Sequence, residues 1–173
     1  MNENKGAPIV SIVGRSNSGK TTLLCKLVRE LKRREYRVGT VKHHSHPGVE
    51  VDKPGKDTWK HAQAGADGVC LVSPNTTFVV RNTPAELPLT EACSMLGRVD
   101  LVLTEGFRAQ NMPKIEVVRG ATGTEPLCSP EELVAIASDV ACKTTVPCFG
   151  LDDIESLVDH ILRVLDVART AQG

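Results

Sequence analysis

The sequence has no excess of charge of either sign and no long hydrophobic run. Its 173 residues include 21 Lys and Arg against 21 Asp and Glu, so the formal net charge is zero at pH 7. A balanced charge argues against a broad nucleic-acid-binding surface. No apolar run approaches the roughly 18 residues that a membrane-spanning helix needs. We therefore expect neither a nucleic acid nor a membrane among the partners of this chain.

The N-terminus and the cysteines also lack familiar signals. Residues 1–6 are polar and contain no apolar segment of a signal peptide, so a cytoplasmic location is expected. The six cysteines include no C-x-x-C pair, and several lie in apolar patterns. This distribution favours reduced, mostly buried thiols. Cys142 and Cys148 can pair or bind a metal, but their spacing is not diagnostic of either.

The feature that the sequence does have is a phosphate-binding loop of the form G-x-x-x-x-G-K-T. The loop follows the apolar run 9–13 and precedes a helical pattern, and this order of strand, loop and helix distinguishes a P-loop from a chance match. Backbone N–H groups of such a loop and of the helix N-terminus converge on an anion. The predicted nucleotide-binding residues are Gly14, Arg15, Ser16, Asn17, Ser18, Gly19, Lys20, Thr21 and Thr22.

Two residues of this loop have specific expected roles. Lys20 is expected to reach the β- and γ-phosphates and to stabilise the charge that develops on them, which makes it a candidate catalytic residue. The hydroxyl of Thr21 is expected to hold Mg²⁺. The motif therefore predicts that the chain binds a nucleoside triphosphate together with Mg²⁺.

Predicted strands and helices alternate along the chain, and no internal repeat is present. This order is typical of a three-layer α/β fold of the P-loop NTPase type, in which helices cover both faces of a mostly parallel sheet. We predict one nucleotide-binding domain over 8–167, between a flexible N-terminus at 1–7 and a tail at 168–173. Strands are predicted at 9–13, 37–41, 68–72, 76–80, 99–104, 115–118, 133–137 and 147–149, the third and fourth as an antiparallel hairpin. Helices are predicted at 23–34, 56–64, 84–96 and 154–167.

The strand 99–104 is flanked by two carboxylates that compete for the role of magnesium ligand. Asp100 lies at its start and Glu105 at its end, roughly 16 Å apart at the usual rise of a strand. Ligands of such sheets bind beyond the carboxyl ends of the strands. Glu105 is therefore the candidate catalytic and Mg²⁺-binding carboxylate, whereas Asp100 is expected to be solvated.

The loop after the second strand should lie at the same edge of the sheet. Lys42 can meet phosphate there, and Asp52 can meet Mg²⁺ or order a water molecule. His43, His44 and His46 either form a transition-metal site or are polar residues near the phosphates. Both interpretations of the histidines remain open at this point.

These motifs, taken in order, resemble the MobB family of molybdopterin-guanine dinucleotide biosynthesis adapter proteins. The matching stretches cover most of residues 8–110. They are the P-loop, the run Gly39-Thr40-Val41-Lys42-His43-His44, the run 52–58, Ala64-Gly65-Ala66 and Thr104-Glu105-Gly106-Phe107. The last third matches less distinctively, through 114–117 and 135–139.

The resemblance implies a GTP-binding protein of the SIMIBI class that hydrolyses GTP weakly. It implies an adapter that assists a MobA-type nucleotidyltransferase, the enzyme that joins GMP to molybdopterin, and it leaves direct contact with molybdopterin open. It also implies a homodimer to which strands are contributed between subunits. Either the hairpin at 76–81 or the strand at 114–118 is a candidate for that contribution.

The residues themselves do not establish a preference for guanine. No Asn-Lys-x-Asp motif is present. Asp139, which follows the strand 133–137, is either a base-reading carboxylate or an ordinary loop acid. The P-loop also lacks the extra lysine of many SIMIBI relatives, because Ser16 and Ser18 stand where it would lie.

Two other functional classes use the same phosphate site. One is a metallochaperone GTPase that binds its metal through His43, His44 and His46. The other is a P-loop kinase or ligase that acts on a small molecule. Tight, stoichiometric Ni²⁺ or Zn²⁺ binding would favour the first, and rapid substrate-dependent phosphoryl transfer would favour the second.

Overall fold

The computed structural model describes residues 6–44 and 52–167, and these form two compact units. The first unit consists of the chain up to His43 together with the chain from Thr90 onward, and the second consists of His44–Leu89. The predicted terminal segments lie outside the described residues, except for residues 6 and 7. A single domain over 8–167 stays a prediction.

The first unit is built on a six-stranded sheet in which all neighbouring strands are parallel. The strands are β1 (Ile9–Gly14), β2 (Val38–Lys42), β5 (Leu101–Glu105), β6 (Lys114–Val118), β7 (Leu133–Ser138) and β8 (Cys148–Gly150). Their order in the sheet is β2-β5-β1-β6-β7-β8, which places β1 near the centre. The carboxyl end of β1 is therefore flanked by strand ends on both sides.

Two amphipathic helices cover one face of this sheet. Helix α1 (Lys20–Arg33) and helix α4 (Ile154–Val164) pack against each other and against the strands. Leucines of α1 and the apolar stripe of α4 meet alternate strand residues, as a half-buried helix requires. The main core consists of Val10, Ile12, Leu23, Leu24, Leu27, Leu31, Leu101, Leu103, Ile115, Val117, Ala135, Ala137, Leu157, Val158 and Ile161.

A loop covers part of the opposite face of β6, and the backbone N–H groups of this loop need hydrogen-bond acceptors. The Glu116 side chain accepts hydrogen bonds from the backbone N–H groups of Leu127 (2.6 Å) and Cys128 (2.9 Å). Nearby, Lys114 Nζ lies 2.7 Å from Glu132 Oε1. A buried loop must find partners for its backbone groups, and the Glu116 side chain supplies them. Burial and the adjacent Glu116 and Glu132 raise the pKa of the Cys128 thiol to about 11, so it stays protonated.

The second unit contains helix α2 (Asp57–Gln63) and an antiparallel hairpin of β3 (Gly68–Val72) and β4 (Thr77–Arg81). Val69 is buried, but Val72 and Val79 are 73% and 63% exposed. Side chains alternate across a strand, so Cys70, Val72 and Val79 share one face of the hairpin. All three are exposed within this unit.

Most predicted elements are present, with shifts at their ends. Helix α1 begins at Lys20 rather than at residue 23, because the helix starts in the P-loop before its apolar stripe does. Only α3 (Leu89–Ser94) forms within the predicted helix 84–96. Pro84 and Pro88 each disfavour helical backbone dihedral angles at the residue before them, so the helix is shorter than predicted.

The prediction of mostly buried thiols was wrong. All six cysteines lie within the described residues and none forms a disulfide, but only Cys128 is buried. Cys25 lies on the outer face of α1 and Cys70 on the exposed face of the hairpin, so neither reaches a core. None of the described helices is long and apolar enough to span a membrane.

Candidate nucleotide-binding site

The P-loop joins β1 to α1 through a backbone that only a few residues tolerate. Gly14, Asn17 and Gly19 have φ values of 138°, 59° and 95°. A Cβ on Gly14 would lie 2.5 Å from the carbonyl oxygen of Val117 on β6, so no side chain fits there. Glycine at this position lets the loop begin directly against the sheet.

The N-terminus of α1 is open to an anion. Gly19 is its N-cap, and no side chain in the described part of the chain caps the helix. The first turn contains no acidic residue that would neutralise the positive end of the helix dipole. Unpaired N–H groups and the dipole together favour a phosphate at this position.

The ammonium group of Lys20 is held by backbone carbonyls of the P-loop itself. Its Nζ donates to the carbonyl oxygens of Arg15 (2.7 Å) and Gly14 (3.2 Å). An ammonium group has three N–H donors, so one remains after these two bonds. The loop thus fixes a positive charge at the mouth of the anion site.

Thr21 meets the carboxylate that was predicted to accompany it. The Thr21 hydroxyl donates to Glu105, with Oε1 and Oε2 each 2.9 Å away. Lys42 Nζ lies 3.4 Å from the same Oε1. The pairing follows from the sheet: Glu105 ends β5, where it lies next to Ile12 on one side and Lys42 on the other.

The donor set at this point fits magnesium. A hydroxyl and a carboxylate are the hard oxygen ligands that Mg²⁺ takes in nucleotide sites. Thr21 and Glu105 are in direct contact, so one small cation can reach both oxygens. Among the described residues, no group of three or more His, Cys, Asp or Glu side chains forms another candidate metal site.

Asp100 corrects the sequence-based expectation of a solvated strand start. Its side chain is only 2% exposed and lies 3.0 Å from the guanidinium of Arg37, and it also accepts the Arg37 backbone N–H at 2.7 Å. Arg37 precedes β2, which pairs with β5 from Val38 and Leu101 onward. The two residues are therefore neighbours at the amino ends of these strands, away from the P-loop.

Asp139 is positioned by the chain itself. It follows β7, and its Oδ1 accepts the Gly120 backbone N–H at 2.8 Å. Its Oδ2 lies 3.3 Å from Nε of Arg119, the residue that follows β6. Both carboxylate oxygens therefore have partners, and a base-reading role for Asp139 stays a prediction.

Other predicted site residues are distributed as follows. Asp52 lies in the second unit, where its Oδ1 accepts the backbone N–H of Lys53 at 2.8 Å, and its catalytic role stays a prediction. The His43 backbone N–H donates to the Glu105 carbonyl at 3.0 Å, and its ring lies 5.1 Å from that of Phe107. His46 lies outside the described residues, so the three-histidine metal site stays a prediction. In the P-loop, Ser16 and Thr22 are exposed, and Ser18 is buried.

Arg119 is the residue that the sequence analysis missed. The same rule that selected Glu105 would have found it, since Arg119 directly follows a strand and so lies at the ligand edge of the sheet. Arg119 was not singled out because the Gly/Thr-rich stretch after it has the composition of an ordinary loop. A Cβ placed on Gly19 of the P-loop would lie 3.7 Å from Arg119 Nη1.

The chain matches the family described as molybdopterin guanine dinucleotide synthesis protein B, MobB. The family model matches residues 9–139, which is more than half of the chain. The matched region runs from β1 through Asp139, so it includes the P-loop, Glu105 and Arg119.

Relatives of known name cover nearly the whole chain. The molybdopterin-guanine dinucleotide biosynthesis adapter protein of Escherichia coli K12 is 35% identical over 161 residues, which is 90% of this chain and 91% of the relative. The protein of the same name from Haemophilus influenzae is 37% identical, with 91% and 89% covered. The crystal structure of Bacillus subtilis MobB is 26% identical with a TM-score of 0.70, with 91% of this chain and 98% of that one covered.

Proposed function

We propose a function from one premise: the chain belongs to the MobB family. It is an adapter protein in molybdopterin-guanine dinucleotide biosynthesis, the role for which its relatives from Escherichia coli and Haemophilus influenzae are named. In that role it binds a nucleotide, and we infer that this nucleotide is GTP with Mg²⁺. It assists a MobA-type nucleotidyltransferase in attaching GMP to molybdopterin.

One observation carries the nucleotide assignment. At the open N-terminus of α1, Lys20 is fixed in the loop and Thr21 is in contact with Glu105. These are the three side chains that a P-loop nucleotide site needs: a cation for the phosphates, a hydroxyl for the metal and a carboxylate beside it. Lys42, paired with Glu105, orients that carboxylate from the neighbouring strand.

Each side chain has a defined task in turnover. Lys20 binds the β- and γ-phosphates and offsets the charge that develops as the γ-phosphoryl group leaves. Thr21 and Glu105 hold Mg²⁺, which when bound neutralises phosphate charge. Glu105 also orders a water molecule. We propose a weak GTPase, and the partner enzyme sets when GTP is bound and released.

The hairpin of the second unit supports a homodimer as the working form. A two-stranded hairpin is marginal by itself, and its exposed face with Val72 and Val79 is apolar. Strand β6, the other candidate, is paired on both edges with β1 and β7, so it has no free edge to offer. We therefore assign the contribution to the dimer to β3 and β4.

The proposal is tested by titrating the protein with GTP and with ATP, each with Mg²⁺ and with or without the nucleotidyltransferase. GTP should bind more tightly than ATP. Lys20→Ala should weaken GTP binding by at least about a hundredfold, because it removes a charge that is held in the anion site.

Lys32→Ala is the matched control, because Lys32 is an exposed lysine on the same helix. It should leave the GTP dissociation constant within a factor of about two. Unchanged GTP binding and turnover in Lys20→Ala would overturn the assignment of the site. Rapid phosphoryl transfer to a small molecule would replace the adapter role with a kinase.

A further inference from the structure

Two arginines interlock the P-loop with the turn after β6. Arg119 opens that turn: its carbonyl oxygen accepts the N–H groups of Thr122 (2.8 Å) and Gly123 (3.0 Å). The turn brings Gly123 against Arg15 of the P-loop and sets Arg119 beside Gly19 of the P-loop. Each arginine thus lies on a glycine of the opposite segment.

The contact of Arg15 with Gly123 leaves no room for a side chain on Gly123 unless Arg15 moves. A Cβ on Gly123 would lie 2.7 Å from Arg15 Nε and 3.3 Å from its Cδ and Cζ. Gly123 also has a φ of 133°, which favours glycine. Arg15 Nε is buried and has no hydrogen-bond partner among the described residues. A buried donor without a partner is costly, and an anionic acceptor at this place would remove the cost.

Arg119 is held from the other side by Asp139. The carboxylate fixes both the Nε of Arg119 and the backbone N–H of Gly120, so it orients the side chain and its turn together. Because Nε faces Asp139, the outer nitrogen Nη1 is the one that lies beside Gly19, at the N-terminus of α1. A guanidinium group in this place presents a fork of donors to an anion at the P-loop.

The charges around the P-loop also favour the binding of an anion. Arg15, Lys20, Lys42 and Arg119 bring four cationic side chains to this edge of the sheet, whereas Glu105 and Asp139 bring two carboxylates. The chain as a whole has no net charge. A local surplus of positive charge in a neutral protein is the electrostatic footprint of a polyanionic ligand.

We propose that Arg15 and Arg119 form a pair of phosphate-binding groups in addition to Lys20. We also propose that Asp139 is a positioning residue for Arg119 rather than the residue that reads the base. This inference rests on the proposed nucleotide site and identifies what part of the nucleotide these residues recognise. Arg119 contacts the polyphosphate chain, so its contribution is the same whichever base is attached. Asp139 acts on the ligand through Arg119, because both of its oxygens are already engaged.

The test measures the affinities of GTP, ATP and inorganic tripolyphosphate, each with Mg²⁺, for wild type and variants. Arg119→Ala should weaken all three by a similar factor, on the order of tenfold. Asp139→Asn should weaken all three in the same way but less. In the double variant, Asp139→Asn should add nothing to the loss from Arg119→Ala, since the two residues act as one unit.

Controls separate this inference from the site itself and from misfolding. Arg119→Lys keeps the positive charge but loses the paired N–H donors of the guanidinium group. Its affinities for the three ligands should lie between those of wild type and those of Arg119→Ala. Arg29→Ala, at an exposed arginine of α1, should bind like wild type. Circular dichroism and the melting temperature of each variant verify the fold.

Two results would overturn the inference. One is Asp139→Asn that loses the preference for GTP over ATP while it keeps tripolyphosphate affinity, which would make Asp139 the base reader. The other is Arg119→Ala that binds all three ligands like wild type. Failure of the proposed function looks different, because wild type would then bind neither GTP nor tripolyphosphate and Lys20→Ala would change nothing.

Discussion

Strand β6 and the β3–β4 hairpin are opposite exceptions to the rule that charged side chains are exposed and apolar side chains are buried. Strand β6 buries the charged residues Lys114 and Glu116 in the sheet of the first unit. The hairpin exposes the apolar residues Val72 and Val79 in the second unit. The first exception is resolved inside the chain, because each buried charge has partners. The second is not resolved within its unit, and this exposed apolar face is the basis of the proposed homodimer.

The largest expected effect comes from removing a partner on β6. Glu116→Ala removes the acceptor of the half-buried Leu127 N–H and of the buried Cys128 N–H, and we expect the free energy of unfolding to fall by about 3 kcal/mol. Glu116→Gln keeps one carbonyl acceptor and should lose about half as much. Urea denaturation measures both values.

Glu125→Ala serves as the control for that experiment, since Glu125 is an exposed carboxylate in the same loop. Its effect should stay within about 0.5 kcal/mol. A loss below that limit for Glu116→Ala as well would mean that the loop over β6 does not depend on its buried acceptor. The two regions would then differ less than their contacts indicate.

The next effect concerns association rather than folding. Val72→Ser combined with Val79→Ser should raise the dissociation constant of the homodimer by at least about tenfold, because apolar area is lost from both copies. Within the separated chain, neither substitution opens a cavity, since both side chains are exposed. Sedimentation velocity over a range of concentrations measures the change.

Val164→Ser is the matched control for the hairpin. Val164 is a 46% exposed valine of α4, in the first unit. It should leave the dimer unchanged. If it weakens association as much as the hairpin variant does, or if wild type is a monomer at all concentrations, the assignment of the interface to β3 and β4 is wrong.

Sequence reasoning was most successful where one local rule decides the outcome. The P-loop pattern fixed β1 and the start of the site, and the rule of strand carboxyl ends placed Glu105 where Thr21 contacts it. Both rules use only neighbouring residues and strand direction. The family resemblance predicted from the residues was confirmed by the family match and the named relatives.

The misses have a common physical origin, which is a partner distant in sequence. Asp100 was expected in solvent because nothing near it suggested that Arg37 would meet it across two strands. Glu116 and Lys114 were not singled out, because their partners lie 11 to 18 residues later in a loop. Arg119 depends on Asp139, 20 residues onward. Pairs of this kind become visible only when the sheet order is known.

The smallest expected effect concerns the ion pairs of Glu30 on helix α1 of the first unit. Glu30 on α1 lies 2.7 Å from Arg33 and 2.6 Å from Arg34. Hydrogen bonds from these two guanidinium groups lower the pKa of the Glu30 carboxyl from 4.5 to about 2. A carboxyl whose pKa is lowered by folding stabilises the native state above its unfolded pKa, and this contribution is lost as the pH falls through the folded value.

Glu30→Gln should therefore reduce stability at pH 7, and the difference from wild type should shrink between pH 4.5 and pH 2. Urea denaturation at pH 7, 4 and 2.5 measures that difference, and Glu131→Gln, at an exposed carboxylate of the first unit, is the control. A difference that is the same at every pH would show that Glu30 acts by packing rather than by charge. It would then resemble the buried side chains of the core more than an ion pair.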